Sequence, residues 1–225
     1  MPTHNAFTEQ PDTWWDPKGP FWTLHAINPL RLSYILSYIQ SGLALDVGCG
    51  GGILSTALAE SFEVTGIDTD RVLLDIAQKH AASHLLTINY QHQTLGNLTP
   101  NKQNTFDLVT CLEVLEHVDN PEQMIIDIAS IVKPGGYAFF STLNRNIFSY
   151  LGAIVAAEYL LEILPKHTHE YKKFITPNEL VTAATQTGLE LKNLNGILYN
   201  PLLKTFSIGQ LTTINYIACF QKPLT

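Results

Sequence analysis

The chain is short of charge. Only 15% of its 225 residues are Asp, Glu, Lys or Arg, well under the roughly 25% of an ordinary soluble domain, and this excludes a disordered tail-like protein or a charge-laced coiled coil. Cations are scarcest. Thirteen Lys and Arg against 20 Asp and Glu give a formal net charge of −7, and Lys172-Lys173 is the longest basic run. A nucleic-acid ligand needs clustered cations against its phosphates, so none is expected. Cysteine is scarce too: Cys49, Cys111 and Cys219 are an odd number without a CxxC pair. That excludes a disulfide framework and a structural zinc knuckle, and fits a reducing cytoplasm. Met1 to Asp16 lacks a basic segment leading into an apolar one, and no stretch offers about 18 uninterrupted apolar residues, so neither a secretory leader nor a membrane span is expected. What is plentiful is apolar residues, at 45%. They suffice for one good core over residues 1–225, and with so little charge they leave a surface suited to an apolar partner.

Along the chain, strand-like and helix-like patterns alternate, as a parallel sheet with crossover helices requires. Leu30 to Ile39 has helical spacing. Leu43 to Val47 reads as a first buried strand, Ile53 to Glu60 as a helix, Glu63 to Ile67 as a second strand and Val72 to His80 as a helix. Ile88 to His92 and Phe106 to Cys111 follow as strands. Pro121 to Val132 is a helix opened by proline, and Lys133-Pro134-Gly135-Gly136 a turn into a strand over Tyr137 to Thr142. Thr176-Pro177-Asn178-Glu179 has the form of a capping box, so a helix should run to about Gln186 and stop near Gly188. The last strands are expected at Glu190 to Leu194 and Ile214 to Gln221.

Gly48, Gly50 and Gly52 stand between the first strand and its helix, where residues without a Cβ allow a tight turn and the close approach of a bulky cofactor. Asp68, sixteen residues past Gly52, ends the second strand, where a carboxylate can accept both hydroxyls of a ribose. The pair reads as a nucleoside-cofactor site. The dinucleotide fingerprint GxGxxG fails at Ile53. With Asp46 two residues ahead of the first glycine, the GxGxG spacing instead resembles motif I of the class I S-adenosylmethionine-dependent methyltransferases. Trp14-Trp15-Asp16, Ile27-Asn28-Pro29-Leu30-Arg31, Glu113-Val114-Leu115-Glu116-His117, Ser141-Thr142-Leu143-Asn144-Arg145-Asn146 and Tyr199-Asn200-Pro201 together resemble the ubiquinone-biosynthesis O-methyltransferases over most of the chain.

The resemblance implies a Rossmann-like α/β fold: a seven-stranded, mainly parallel sheet with its last strand antiparallel, a helical cap over residues 1–40 and an insertion over 146–175. It implies transfer of the methyl group of S-adenosylmethionine to a hydroxyl of a polyprenyl catechol, and later of a demethylubiquinol. Carried over residue by residue, it assigns the cofactor to Arg31, Asp46, Gly48, Gly50, Gly52, Asp68 and Leu112. Arg31 is expected to pair with the methionine carboxylate, in the bidentate fashion open to a guanidinium. Catalysis is expected from Glu113, Glu116 and His117. If the chain turns helical near Glu113, these three share one face at the carboxyl edge of the sheet. There they could act as base or, as the family's E-x-x-E-H residues imply, hold magnesium. His117 leads as base and His25 follows. The apolar run Ile147 to Leu164, with the basic segment to Lys173 after it, is expected to line a prenyl channel and to rest on an anionic membrane surface, in the company of other quinone-biosynthesis proteins. Two alternatives stay open: a methyltransferase for another small aromatic or quinone, and a noncatalytic cofactor-binding scaffold.

Overall fold

Apolar runs too short for a core helix and buried on both faces build the centre of the molecule, seen in a computed structural model that describes residues 13–145, 174–200, 202–203 and 205–224. Five strands come first: β1 (Gly42–Val47), β2 (Phe62–Asp68), β3 (Ile88–His92), β4 (Phe106–Leu112) and β5 (Val132–Leu143). They are joined in parallel, β3 to β2, β2 to β1, β1 to β4 and β4 to β5. The chain then adds β6 (Glu190–Asn200), β7 (Thr205–Gly209) and β8 (Asn215–Gln221), giving the order β3-β2-β1-β4-β5-β8-β6-β7. β8 lies antiparallel to both β5 and β6, and β7 pairs antiparallel with β6.

The sheet therefore has eight strands where seven were expected. The extra one exists because β6 runs on to Asn200, and a hairpin pairs Asn200 with Thr205. Tyr199 sits in that hairpin with its ring 4.9 Å from Phe206.

Helices cover both faces: α1 (Trp22–Leu36), α2 (Ile53–Leu58), α3 (Arg71–Ser83), α4 (Leu95–Leu98), α5 (Pro121–Ile131) and α6 (Pro177–Gln186). The two faces have separate cores, and the strand period of two sorts residues between them. Val109 and Phe140 join Ile125, Ile128, Leu180 and Ala184 on one side, while their neighbours Leu108 and Phe139 join Ile35, Leu58 and Ile217 on the other. Thr176 caps α6 as the sequence indicated, with the reciprocal bonds to Glu179 in place. α1 starts at Trp22, eight residues before the apolar pattern suggested, and carries exposed Pro29 inside it. The Lys133-Pro134-Gly135-Gly136 segment is not a turn. It is an irregular stretch of β5 where the register against β4 shifts, with Gly135 N–H given to Lys222 O at 2.8 Å.

The expected insertion falls outside the described residues except for its end, Phe174 and Ile175, which are buried; Tyr216 Oη donates to Ile175 O at 3.0 Å. Strand order reverses between β1 and β4, and the loops that follow β1, β2 and β4 meet at that carboxyl edge, the ligand crevice of open parallel sheets.

Candidate active site

The loop leaving β1 is held by its backbone: Gly48 and Cys49 both donate to Ile67 O, at 2.8 and 3.1 Å. Gly48, Gly50 and Gly52 have φ of 68°, 52° and 86°, the left-handed region open to glycine. A Cβ would also collide with Val114 at Gly48 and with Tyr90 Oη at Gly52. Beneath the loop, Asp46 is fully buried and accepts from Ser55 Oγ at 2.6 Å and Thr110 Oγ1 at 2.8 Å. Burial pushes its carboxyl up to about 6, against the two hydroxyls, which favour the charged form. Asp46 thus serves as a buried strut of the loop. Asp68, half-buried at the end of β2, accepts Gly50 N–H at Oδ2 and Asp70 N–H at Oδ1, each at 2.8 Å. Each oxygen keeps a lone pair for a further donor such as a sugar hydroxyl. Leu112, partly buried, ends β4 across the crevice.

The segment after β4 departs from the expected helix. Glu113 takes φ of 57° and gives its N–H to Ser141 O at 2.9 Å, and only a single 3-10 turn follows, Leu115–His117. The three expected side chains therefore do not share a helical face. Glu113 is paired with Arg31 and accepts from Ser141 Oγ at 2.7 Å. Glu116, 4% exposed, accepts from Thr142 Oγ1 at 2.8 Å. Burial first, and the neighbouring Glu113 carboxylate second, push Glu116 up to about 8. His117 is exposed. Among the described residues no group of three or more His, Cys, Asp or Glu is placed to hold a metal ion. The expected magnesium site at Glu113, Glu116 and His117 is thus not assembled among the described residues: Glu113 is paired with Arg31, Glu116 is buried against the Thr142 hydroxyl, and His117 is exposed.

The structure places Arg31 beside Glu113. It is buried on α1, bound to Glu113 and 3.5 Å from Ser141 Oγ, and its Nε has no hydrogen-bond partner among the described residues. His25 is engaged through Nε2 with Trp14 O at 2.8 Å. The structure thus joins Arg31, Glu113 and Glu116 through Ser141 and Thr142, and leaves His117 outside. In the sequence, Ser141 and Thr142 stand out only as part of the Ser141–Asn146 segment. Their signal was two adjacent hydroxyls at the carboxyl end of β5, beside a strand that ends in acids.

A family model described as a methyltransferase domain matches residues 25–194. A protein of Coxiella burnetii named ubiquinone biosynthesis O-methyltransferase is 48% identical over 217 residues, 95% of this chain and 92% of its own. Proteins of the same name from Nitrosospira multiformis and Aliivibrio fischeri are 45% and 46% identical, over 96% and 94% of this chain and 91% and 92% of theirs. Among solved structures, a SAM-dependent methyltransferase from Thermotoga maritima superposes with a TM-score of 0.68 at 18% identity, covering 96% of this chain and 99% of that one. The magnesium protoporphyrin IX methyltransferase of Synechocystis, solved with bound SAH, gives 0.66 at 17%, covering 90% and 85%. Those distant likenesses show the fold. Relatives nearly half identical across nearly the whole length show the family: the chain belongs to the ubiquinone-biosynthesis O-methyltransferases, with the S-adenosylmethionine-dependent methyltransferase fold.

Proposed function

We propose that the chain transfers the methyl group of S-adenosylmethionine to a hydroxyl of a polyprenyl catechol, and to the corresponding hydroxyl of a demethylubiquinol. The observation that carries this reading is the meeting, at one edge of the sheet, of the Gly48–Gly52 loop with Asp68 and of an acidic pair, partly buried Glu113 and buried Glu116. The loop and Asp68 suit a nucleoside cofactor, and the pair suits a hydroxyl that must lose a proton. The sulfonium is already activated, so the protein has two tasks: to align the acceptor oxygen with the methyl carbon and sulfur, and to take the acceptor's proton. The oxygen forms a bond to the methyl carbon, the carbon–sulfur pair leaves with sulfur as a neutral thioether, and the proton goes to a carboxylate. Glu116, held well above the usual carboxylate range, is matched to that proton near neutral pH. Glu113, fixed by Arg31 and Ser141, supplies the charge that keeps it there.

A polyprenyl acceptor dissolves in lipid, so the reading includes work at the cytoplasmic face of a membrane, as a peripheral protein alongside other quinone-biosynthesis proteins. No helix among the described residues is long and apolar enough to cross a membrane. Flotation with anionic vesicles checks the association. The chemical reading is tested by Glu116→Gln, which keeps the shape and the bond from Thr142. Its kcat should fall by about 10²- to 10⁴-fold with S-adenosylhomocysteine binding unchanged; a variant as fast as the parent contradicts the role of Glu116.

A further inference from the structure

Gly51 is the glycine of the loop that its own backbone does not explain. Gly48, Gly50 and Gly52 have positive φ and Gly51 does not. What claims its Cβ position is the indole of Trp14: a methyl there would fall inside the ring, against Nε1, Cδ1 and Cε2. The same ring lies 3.3 Å from where a Cβ of Gly50 would stand. Trp14 is buried, its ring 4.6 Å from that of Phe21, and the two cluster with Leu73 of α3, with Ile53 and Ile76 packed around them. The indole is therefore wedged between the cofactor loop, the start of α2 and the first turns of α3.

The segment that delivers Trp14 is tied down on both sides. His25 Nε2 meets Trp14 O at 2.8 Å. Trp15 lies flat on His80 of α3, ring centroids 3.2 Å apart and planes within 2°, and His80 stacks in turn on His84 at 4.1 Å. Burial, then His84 and His25, hold His80 down to about 4, so the imidazole under Trp15 is neutral in the physiological range. The wedge bears on the loop because Gly50, whose Cβ position the indole borders, gives its N–H to Asp68 Oδ2.

We propose that Trp14, held in place by the Trp15–His80 stack, is a positioning residue for the cofactor: it braces the Gly50–Gly51 segment and so fixes the Gly50–Asp68 hydrogen bond on which the ribose contact depends. The inference rests on the reading of this loop as the S-adenosylmethionine site. It assigns a task to the Trp14-Trp15 segment, which lies ahead of the matched methyltransferase domain.

The test is a double-mutant cycle read by calorimetric binding of S-adenosylhomocysteine to the full chain, with KM and kcat alongside. Trp14→Ala and Gly51→Ala should each weaken binding by about tenfold, the second because its methyl expels the indole from a backbone that accepts alanine. The double variant should be no weaker than the worse single, since both remove one brace. KM for the cofactor should rise in step, with kcat at saturating cofactor moving far less, and Trp14→Phe should recover most of the loss. Trp15→Ala, which breaks the stack without touching the loop, should weaken binding in the same direction and guards against a misfolded Trp14→Ala. Gly51→Ala binding as tightly as the parent, or losses that multiply in the double variant, would overturn the brace. A parent chain that fails to bind S-adenosylhomocysteine overturns the cofactor reading beneath it.

Discussion

Two buried carboxyls with opposite duties set the chemistry at the scale of single residues. Glu116 is raised by burial and by Glu113, so it is protonated at low pH and becomes a base only as pH rises through about 8. The rate at saturating substrates should climb over that range, and Glu116→Gln should flatten the climb; an unchanged profile in the variant assigns the ionisation to another group. Asp46 has no such task. Its folded-state value, about 6, lies above the ordinary 3.8. The folded protein therefore binds the proton more tightly than the unfolded chain. That contribution is fully present below 3.8 and is lost as pH rises through 6, at a cost on the order of 3 kcal/mol near neutrality. Urea unfolding of the parent and of Asp46→Asn should show the variant gaining relative stability, on the order of 2 to 3 kcal/mol, between about pH 4 and pH 7. A constant difference would mean that Asp46 titrates normally. Asp46 and Asp68 were legible in the sequence because their spacing from the glycines fixes them on strand ends. The commitment of Glu113 to Arg31 was not legible, since the partners are 82 residues apart and joined only by the fold.

Elements were legible where local chemistry and tertiary demand agree. α6 is the clear case: Thr176 accepts Glu179 N–H, Glu179 reaches back to Thr176 N–H at 2.8 Å, and Pro177 opens the first turn. Thr176→Ala should cost about 1 kcal/mol, lowering the melting temperature by roughly 2 to 4 °C without changing cofactor affinity; no shift would show the cap to be redundant. Agreement fails where long-range pairing decides. Lys133-Pro134-Gly135-Gly136 has the composition of a turn, yet bonds between Gly135, Gly136 and Lys222 keep it in β5. The residues after β4 have helical spacing, yet Glu113 is drawn into a left-handed conformation by its bond to Ser141 O. That one backbone bond separates an acidic pair that faces Arg31, Ser141 and Thr142 from three side chains in a row on a helix.

For the whole molecule, the alternation of strand-like and helix-like patterns pointed to a parallel sheet clothed by crossover helices, and the two separate cores confirm it. The topology does the functional work: reversing the strand order between β1 and β4 opens one crevice, into which the glycine loop, Asp68 and the acidic pair are all delivered by strand ends. The eighth strand was hidden because the β6–β7 hairpin carries few buried residues, so its pattern resembles a loop. The central claim is that this crevice carries a methyl group from sulfur to a catechol oxygen. The direct measurement is incubation of the purified chain with methyl-labelled S-adenosylmethionine and a short-chain prenyl catechol, with the products identified by mass spectrometry. One labelled methyl ether per S-adenosylhomocysteine is the predicted result; S-adenosylhomocysteine bound tightly but no label on the catechol would contradict it.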